Sequence, residues 1–437
     1  MKLAGMTLSA AGHYAKGRIN RAMLSGEAAD KARGQAAGEA ALRIAQTLGE
    51  LKGAAMKVGQ MASMAADLLP EEFSQALSGL QRNAPPMDYD VIEGQVRAEF
   101  GQPLETLFDR FEREAFASAS IGQVHRATTD DGREVVVKVQ YPGVDGAVDS
   151  DMRHLKLALR ASGLVQLGRE ALDATFEEIQ ARMHEELDYC NEADNVRMFH
   201  EFHRRHPFVV VPQVVGERSA KRVLTMTYEP GDSAAELDAL GYTRAQRNLC
   251  GTNLWTLADS QAFDFGRIHA DPNPANFAFR PDGTVVLYDF GCVKQLAEHV
   301  MPSYSALVRH GLAHEWGELD RVLIDMGVRK GETAAPPFEL YRLAVDCVAP
   351  EFIGSETFDF HATRLEKRVV AEVAPAVLRH VTKFQPDKEL VFFERTIAGH
   401  YANVRRIGAT VPVQRMLADR IDGVAELLQI PPGEPAQ

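Results

Sequence analysis

The chain has 437 residues, 45% hydrophobic and 25% charged, the make-up of a globular enzyme large enough for two or three structural units. Lys and Arg number 48 against 61 Asp and Glu, and the net charge of −13 argues against nucleic acid as a partner. Cys190, Cys250, Cys292 and Cys347 show no C-x-x-C or zinc spacing, no apolar run approaches a membrane span, and Met1 to Ala15 is too weakly apolar for a secretory signal, so a reducing cytoplasm is expected.

Residues 1–95 read as helical, rich in Ala, Leu, Met, Gln and Lys with few β-branched residues. At their centre runs Leu51 to Met64, where Gly53, Ala54 and Gly59 allow close approach of a backbone or a ligand. Lys57, Gln60 and Met64 share one stripe, readable as a solvated helix edge or as part of a site. The methionines Met56, Met61 and Met64 fit a core better than a lipid or quinone groove. Asn83-Ala84-Pro85-Pro86 marks a boundary, and a helix follows over Tyr89 to Phe100, ended by Gly101.

Ala117-Ser118-Ala119-Ser120-Ile121-Gly122 is a small-residue loop whose backbone amides could reach phosphates, although it is rich in Ala and Ser rather than Gly. A strand from Gly122 to Thr128 turns at Asp130-Asp131-Gly132 and returns as Glu134 to Gln140. Lys138 alternates with Val137 and Val139, so it either reaches water or meets a carboxylate or phosphate. From Asp173 to about Phe202 a continuous helix is expected, with Ile179, Met183, Leu187 and Cys190 inward. Glu186 flanks that stripe and is the candidate partner for Lys138. Asp188 and Glu192 share another face, towards nucleotide or solvent.

Strands are expected over Val209 to Val215 and Arg222 to Tyr228, with Glu229-Pro230-Gly231 crossing into a second lobe, and Tyr228 to Gly231 as the purine contact. Ala234 to Arg267 reads as helix. Then comes His269-Ala270-Asp271-Pro272-Asn273-Pro274-Ala275-Asn276, followed by a hairpin turning at Pro281-Asp282-Gly283 and by Asp289-Phe290-Gly291. A hairpin places its entry and exit side by side, so Asn276 and Asp289 offer hard oxygen ligands for Mg²⁺ carrying a nucleotide's phosphates. Asp271, five residues before Asn276, matches the aspartate of kinase catalytic loops, with Ala270 in place of the usual Arg. Beyond Gly291 only helices are expected, broken at Ala334-Ala335-Pro336-Pro337 and at Pro350.

Taken together, Lys57-Val58-Gly59-Gln60, the alanine-rich loop running to His125, Lys138, Glu186-Leu187-Asp188 and the His269–Asn276 loop resemble the ABC1/UbiB/COQ8 atypical kinases. That family supports ubiquinone biosynthesis and related prenyl-lipid metabolism. The resemblance implies an α+β fold, a two-lobed protein-kinase-like pair with an N-terminal helical extension. Its parts would be a K-x-G-Q extension over 1–95, an N-lobe with inserted helices over 96–230 and a mostly helical C-lobe over 231–437. It implies ATP or ADP with Mg²⁺, held by Asn276, Asp289 and Glu192, and Lys138 as the ATP lysine. Asp271, Lys138 and Glu186 would be catalytic. Lys57, Gln60, Ala117, Ser118, Ala119, Ser120, Gly122, Tyr228 and Gly231 would line the nucleotide, with the K-x-G-Q helices lying where a protein kinase takes its peptide. Asn273 and Ala275 depart from the family's usual His and Gly.

The expected activity is that of an ATP-dependent phosphotransferase or ATPase. The alternatives are a non-catalytic ADP/ATP-sensing scaffold for lipid-modifying enzymes and a small-molecule kinase of the aminoglycoside-phosphotransferase kind. Without the paired membrane spans of the bacterial UbiB type, the expected place is cytoplasmic or peripheral to the inner membrane. A lipid, a quinone precursor, a membrane surface and a homodimer are the partners left open.

Overall fold

A computed structural model describes residues 87–119, 121–143, 187–385 and 388–430, with isolated positions between 153 and 180. Lys57, Gln60, Ser120 and Glu186, and with them the helical extension, lie outside the described residues. In chain order come α1 (Tyr89–Phe100), β1 (Arg110–Phe111), β2 (Ala117–Ser118), β3 (Gly122–Thr128), β4 (Glu134–Gln140), α2 (Tyr189–His203), β5 (Val209–Val210) and β6 (Val223–Thr227). Then follow β7 (Asp232–Ser233), α3 (Arg244–Ser260), β8 (Arg267–His269), β9 (Phe277–Phe279), β10 (Val285–Leu287) and β11 (Val293–Gln295). The remainder is α4 (Val300–Leu312), α5 (Trp316–Asp325), α6 (Phe338–Ile353), β12 (Phe358–Asp359), α7 (Lys388–Ile407), β13 (Thr410–Val411) and α8 (Val413–Arg420). Strands concentrate in the first half and helices in the second, an α+β arrangement. The chain forms two compact units: residues up to 201 with Pro212–Glu229, and Phe202–Val211 with residues from 230 onward.

In the first unit the sheet runs β1-β3-β4-β6, with β2 on the free flank of β3. The β3–β4 pair is antiparallel, with Val124 opposite Lys138 and Gly122 opposite Gln140. Alternation explains it: Val135, Val137 and Val139 are fully buried on one face. Gly122 admits no side chain, since a Cβ there would lie 2.1 Å from the Val139 carbonyl oxygen. Helix α1 ends where its sequence says: Gly101 takes a left-handed φ of 66° and its N–H bonds the Arg97 carbonyl.

The continuous helix expected from Asp173 to Phe202 is interrupted. Leu187 is a turn, Asp188 is non-helical, and α2 starts afresh at Tyr189. The Asp188 carboxylate accepts the Cys190 N–H at 3.0 Å, and the Tyr189 N–H is drawn to the Lys221 carbonyl. The restart changes the helical phase. Cys190, expected inward, is exposed; the buried stripe is Tyr189, Glu192, Ala193, Val196, Phe199 and His203.

In the second unit a four-stranded sheet runs β5-β10-β9-β7, with β5 parallel to β10 and the others antiparallel, and β8 pairs with β11. The expected 209–215 strand stops at Val210, because Pro212 has no N–H for a ladder. The helix expected from Ala234 begins only at Arg244, where Thr243 and Gln246 form a reciprocal capping box. It ends in a π-helical turn over Gln261–Phe265, closed by Gly266 at φ 65°. The all-helical reading beyond Gly291 is corrected by β11, β12 and β13. Pro350 does not break a helix; it lies within α6. Ala344, Val345, Val348, Ala349 and Phe352 are all buried, and their packing holds the helix across the missing hydrogen bond.

Candidate functional site

In the first unit the site is built on the middle of β4. Lys138 points to the face opposite the buried valines, yet it stays only 6% exposed. Its ammonium meets both oxygens of Glu192 on α2, at 2.9 and 2.8 Å, and the carboxylate is equally buried. The Tyr189 ring centroid lies 5.1 Å from the same ammonium. The phase shift in α2 thus brings in Glu192, which the sequence placed with the metal, as a partner of Lys138. Two desolvated charges are costly unless chelated as they are here, which marks the pair as a structural feature that surface solvation does not explain.

The alanine-rich loop is the tip of a small hairpin. Ala117 pairs with Val124 and Ser118 with Gln123, and the Ala119 N–H bonds the Gly122 carbonyl at 3.0 Å. Behind it, Gln123 and His125 are buried. The Gln123 amide oxygen accepts the Met87 N–H, its nitrogen reaches the Met87 carbonyl and His125, and the Tyr141 hydroxyl donates to the same oxygen. Burial pushes the His125 imidazole towards its neutral form. Tyr228, the expected purine contact, stacks beneath the Arg126 guanidinium at 4.1 Å with Phe116 against its edge.

In the second unit the loop after β8 carries the remaining groups. The Tyr288 N–H bonds the Asn276 carbonyl at 2.9 Å, closing the hairpin mouth so that Asp289 leaves beside Asn276. The Asn276 amide nitrogen donates to the Asp271 carboxylate at 2.8 Å and to its carbonyl at 3.2 Å. Both partners only accept, so the amide orientation is fixed and its oxygen is the atom turned to other use. Asn273 caps the short 3₁₀ turn Pro274–Asn276 by accepting the Ala275 N–H at 3.1 Å, which gives this departure from the family pattern a local role. Asp289 has φ 52°, a left-handed conformation unusual for a residue with a Cβ, and its carboxylate accepts the Gly291 N–H at 3.1 Å. The His269 ring nitrogen Nε2 donates to the Asp289 carbonyl at 2.6 Å and lies 3.1 Å from that of Tyr288.

Gly231 packs on β9, where a Cβ would lie 2.8 Å from that of Ala278. Sequence reasoning missed the brace from α7. A Cβ on Gly399 would lie 2.2 Å from the Pro272 ring, and the Asn403 amide donates to the Pro272 carbonyl at 2.9 Å. The two segments are 131 positions apart, and no local pattern links them.

A sequence model of the ABC1 atypical kinase-like domain matches residues 79–322, more than half of the chain. The chain belongs to the ABC1/UbiB/COQ8 family. It is 27% identical over 381 residues to the atypical kinase COQ8 of Saccharomyces cerevisiae, covering 86% of this chain and 75% of that one. It is 36% identical over 242 residues to the chloroplastic Activity of BC1 complex kinase 7 of Arabidopsis thaliana, covering 55% of this chain and only 35% of that one. Among solved structures, the Mycobacterium tuberculosis protein Rv3197, in complex with erythromycin, superposes with a TM-score of 0.64 at 30% identity, covering 91% of this chain and 99% of the other. The fold is therefore the kinase-like α+β fold of this family.

Proposed function

We propose that the chain is a Mg²⁺-dependent nucleotide-binding enzyme, an atypical kinase or ATPase serving ubiquinone or related prenyl-lipid metabolism. The observation that carries this reading is the intact donor set of the second unit: the Asn276 amide oriented by Asp271, next to Asp289 at the hairpin mouth. These are hard oxygen donors, few in number, as suits Mg²⁺ that keeps waters and phosphates among its ligands. When bound, the ion would neutralise charge on the phosphates. Asn276 and Asp289 would hold it.

Asp271 orients or deprotonates the attacking hydroxyl or water. Lys138 contacts the α- and β-phosphates, and Glu192 holds its ammonium in place. Ala117, Ser118, Ala119, Ser120 and Gly122 offer backbone amides, and Tyr228 and Gly231 flank the purine. Lys57, Gln60 and Glu186 complete the site by family resemblance. Among the described residues no helix is long and apolar enough to cross a membrane. Lipid or quinone contact belongs to the same proposal.

The test is ADP production by the purified protein, with and without Mg²⁺ and anionic liposomes. Mg²⁺-dependent turnover is expected. Tight nucleotide binding with no turnover in any condition would replace this reading with the sensor. A second reading, binding of a small organic molecule, is favoured by one observation, the erythromycin in the Rv3197 complex. Adding erythromycin to the same assay and seeing a shifted nucleotide affinity would support it.

A further inference from the structure

Behind His269 lies a row of buried neutral polar groups that none of the chemistry above uses. Gln261 is fully buried, His203 is 2% exposed and His269 is fully buried. Gln261 opens the π-helical turn at the end of α3, and such turns recur where a helix must aim one side chain. Its amide oxygen accepts the backbone N–H of His269 at 3.0 Å. Its amide nitrogen lies 3.2 Å from His203 Nε2, and His203 Nδ1 lies 3.2 Å from His206 Nδ1.

These contacts admit one proton arrangement. The His269 N–H can only donate, so Gln261 must turn its oxygen there and its NH₂ towards His203. His203 Nε2 must then accept, which puts its proton on Nδ1. That proton points at His206 Nδ1, which must also accept. A proton added at His206 Nδ1 sets two donors against each other. Moving the conflict to His203 Nε2 sets that ring against the Gln261 NH₂, and flipping the amide sets its NH₂ against the His269 N–H. Each escape leaves a buried donor facing a donor.

We propose that Gln261 is a positioning residue for the His269–Asp289 segment, held in its working orientation by the neutral pair His203 and His206. The inference rests on the nucleotide-enzyme reading only for its consequence, since His269 in turn holds the Asp289 carbonyl. The row reaches the surface at His206, so proton load there is passed to the loop. The charged groups facing His206 are Arg205 beside it, Asp264 from the π turn and Arg420 from α8; His203 faces His206 and Arg205. Burial first, with Arg205 next for His206 and His206 next for His203, holds both rings neutral at ordinary pH.

Two measurements on the full chain test this. Nitrogen-15 spectra of the histidine rings should show His203 unprotonated at Nε2 and protonated at Nδ1 near neutral pH. The near-isosteric Gln261→Glu, which can accept from His269 but cannot donate, should reverse this and protonate Nε2. Mg²⁺–ADP affinity should fall about tenfold, the worth of one hydrogen bond, as pH drops from about 8 to about 5.5. His206→Asn keeps an acceptor for His203 and removes the titration, so it should keep the affinity at high pH and lose that fall. A wild-type His203 protonated at Nε2, or an acid limb unchanged in His206→Asn, overturns the proposal. Should the wild type bind no Mg²⁺–ADP at any pH, the nucleotide reading falls while the ring spectra still decide the proton arrangement.

Discussion

The two units hold their functional groups by opposite means. Around Lys138 a full positive charge is fixed by a full negative one, Glu192, both out of water. Around Asp289 and Asn276 the holding groups are neutral: an amide turned by Asp271, an imidazole on a carbonyl, a proline pinned by an asparagine. An ion pair tolerates pH changes near neutrality but fails if either partner is lost. A chain of neutral donors and acceptors survives small losses but depends on where each proton sits.

The contrast can be broken most sharply at Asp289. Asp289→Asn keeps the shape and the acceptor for Gly291 but removes the charge, and ADP production should fall at least about 100-fold; unimpaired turnover would remove Asp289 from the mechanism. Next is the ion pair. Lys138→Met strands a buried carboxylate and should lower the unfolding free energy by about 3–5 kcal/mol, while Lys138→Met with Glu192→Leu should recover most of it. Denaturant titrations that give the single and double variants equal losses would show the pair is not the source. Third is acid. Burial holds the folded His203 imidazole down to about 3, against 6.5 when free. The unfolded chain therefore takes up the proton first, and stability present above pH 6.5 is lost progressively as pH falls towards 3. The loss should reach up to about 4 kcal/mol at the acid end, and thermal melts of His203→Gln should show a flatter slope. Smallest is the brace: Gly399→Ala drives a methyl into Pro272 and should cost about 1–3 kcal/mol, read by melting temperature.

What the sequence revealed follows from how local each cause is. The β3–β4 hairpin was legible because alternating valines and the turn at Gly132 act over a few residues. The end of α1 at Gly101 was legible for the same reason. The partner of Lys138 was harder, because one carboxylate at Asp188 restarts a helix and rotates all that follows; Asp188 was visible but its capping was not. Asp271, Asn276 and Asp289 were found by spacing around a hairpin. Gln261 and His203 were invisible, since a glutamine and a histidine 58 positions apart have no pattern until the chain folds.

The brace between α7 and Pro272 carries a lesson for anyone trimming this protein. The family match ends at residue 322, well before Gly399 and Asn403. A shortened gene stopping there would still encode Lys138, Asp271, Asn276 and Asp289, so it would pass any inspection by motif. It would nevertheless leave the loop without the wedge that seats it, and a silent preparation of that kind would say nothing about the activity of the longer polypeptide.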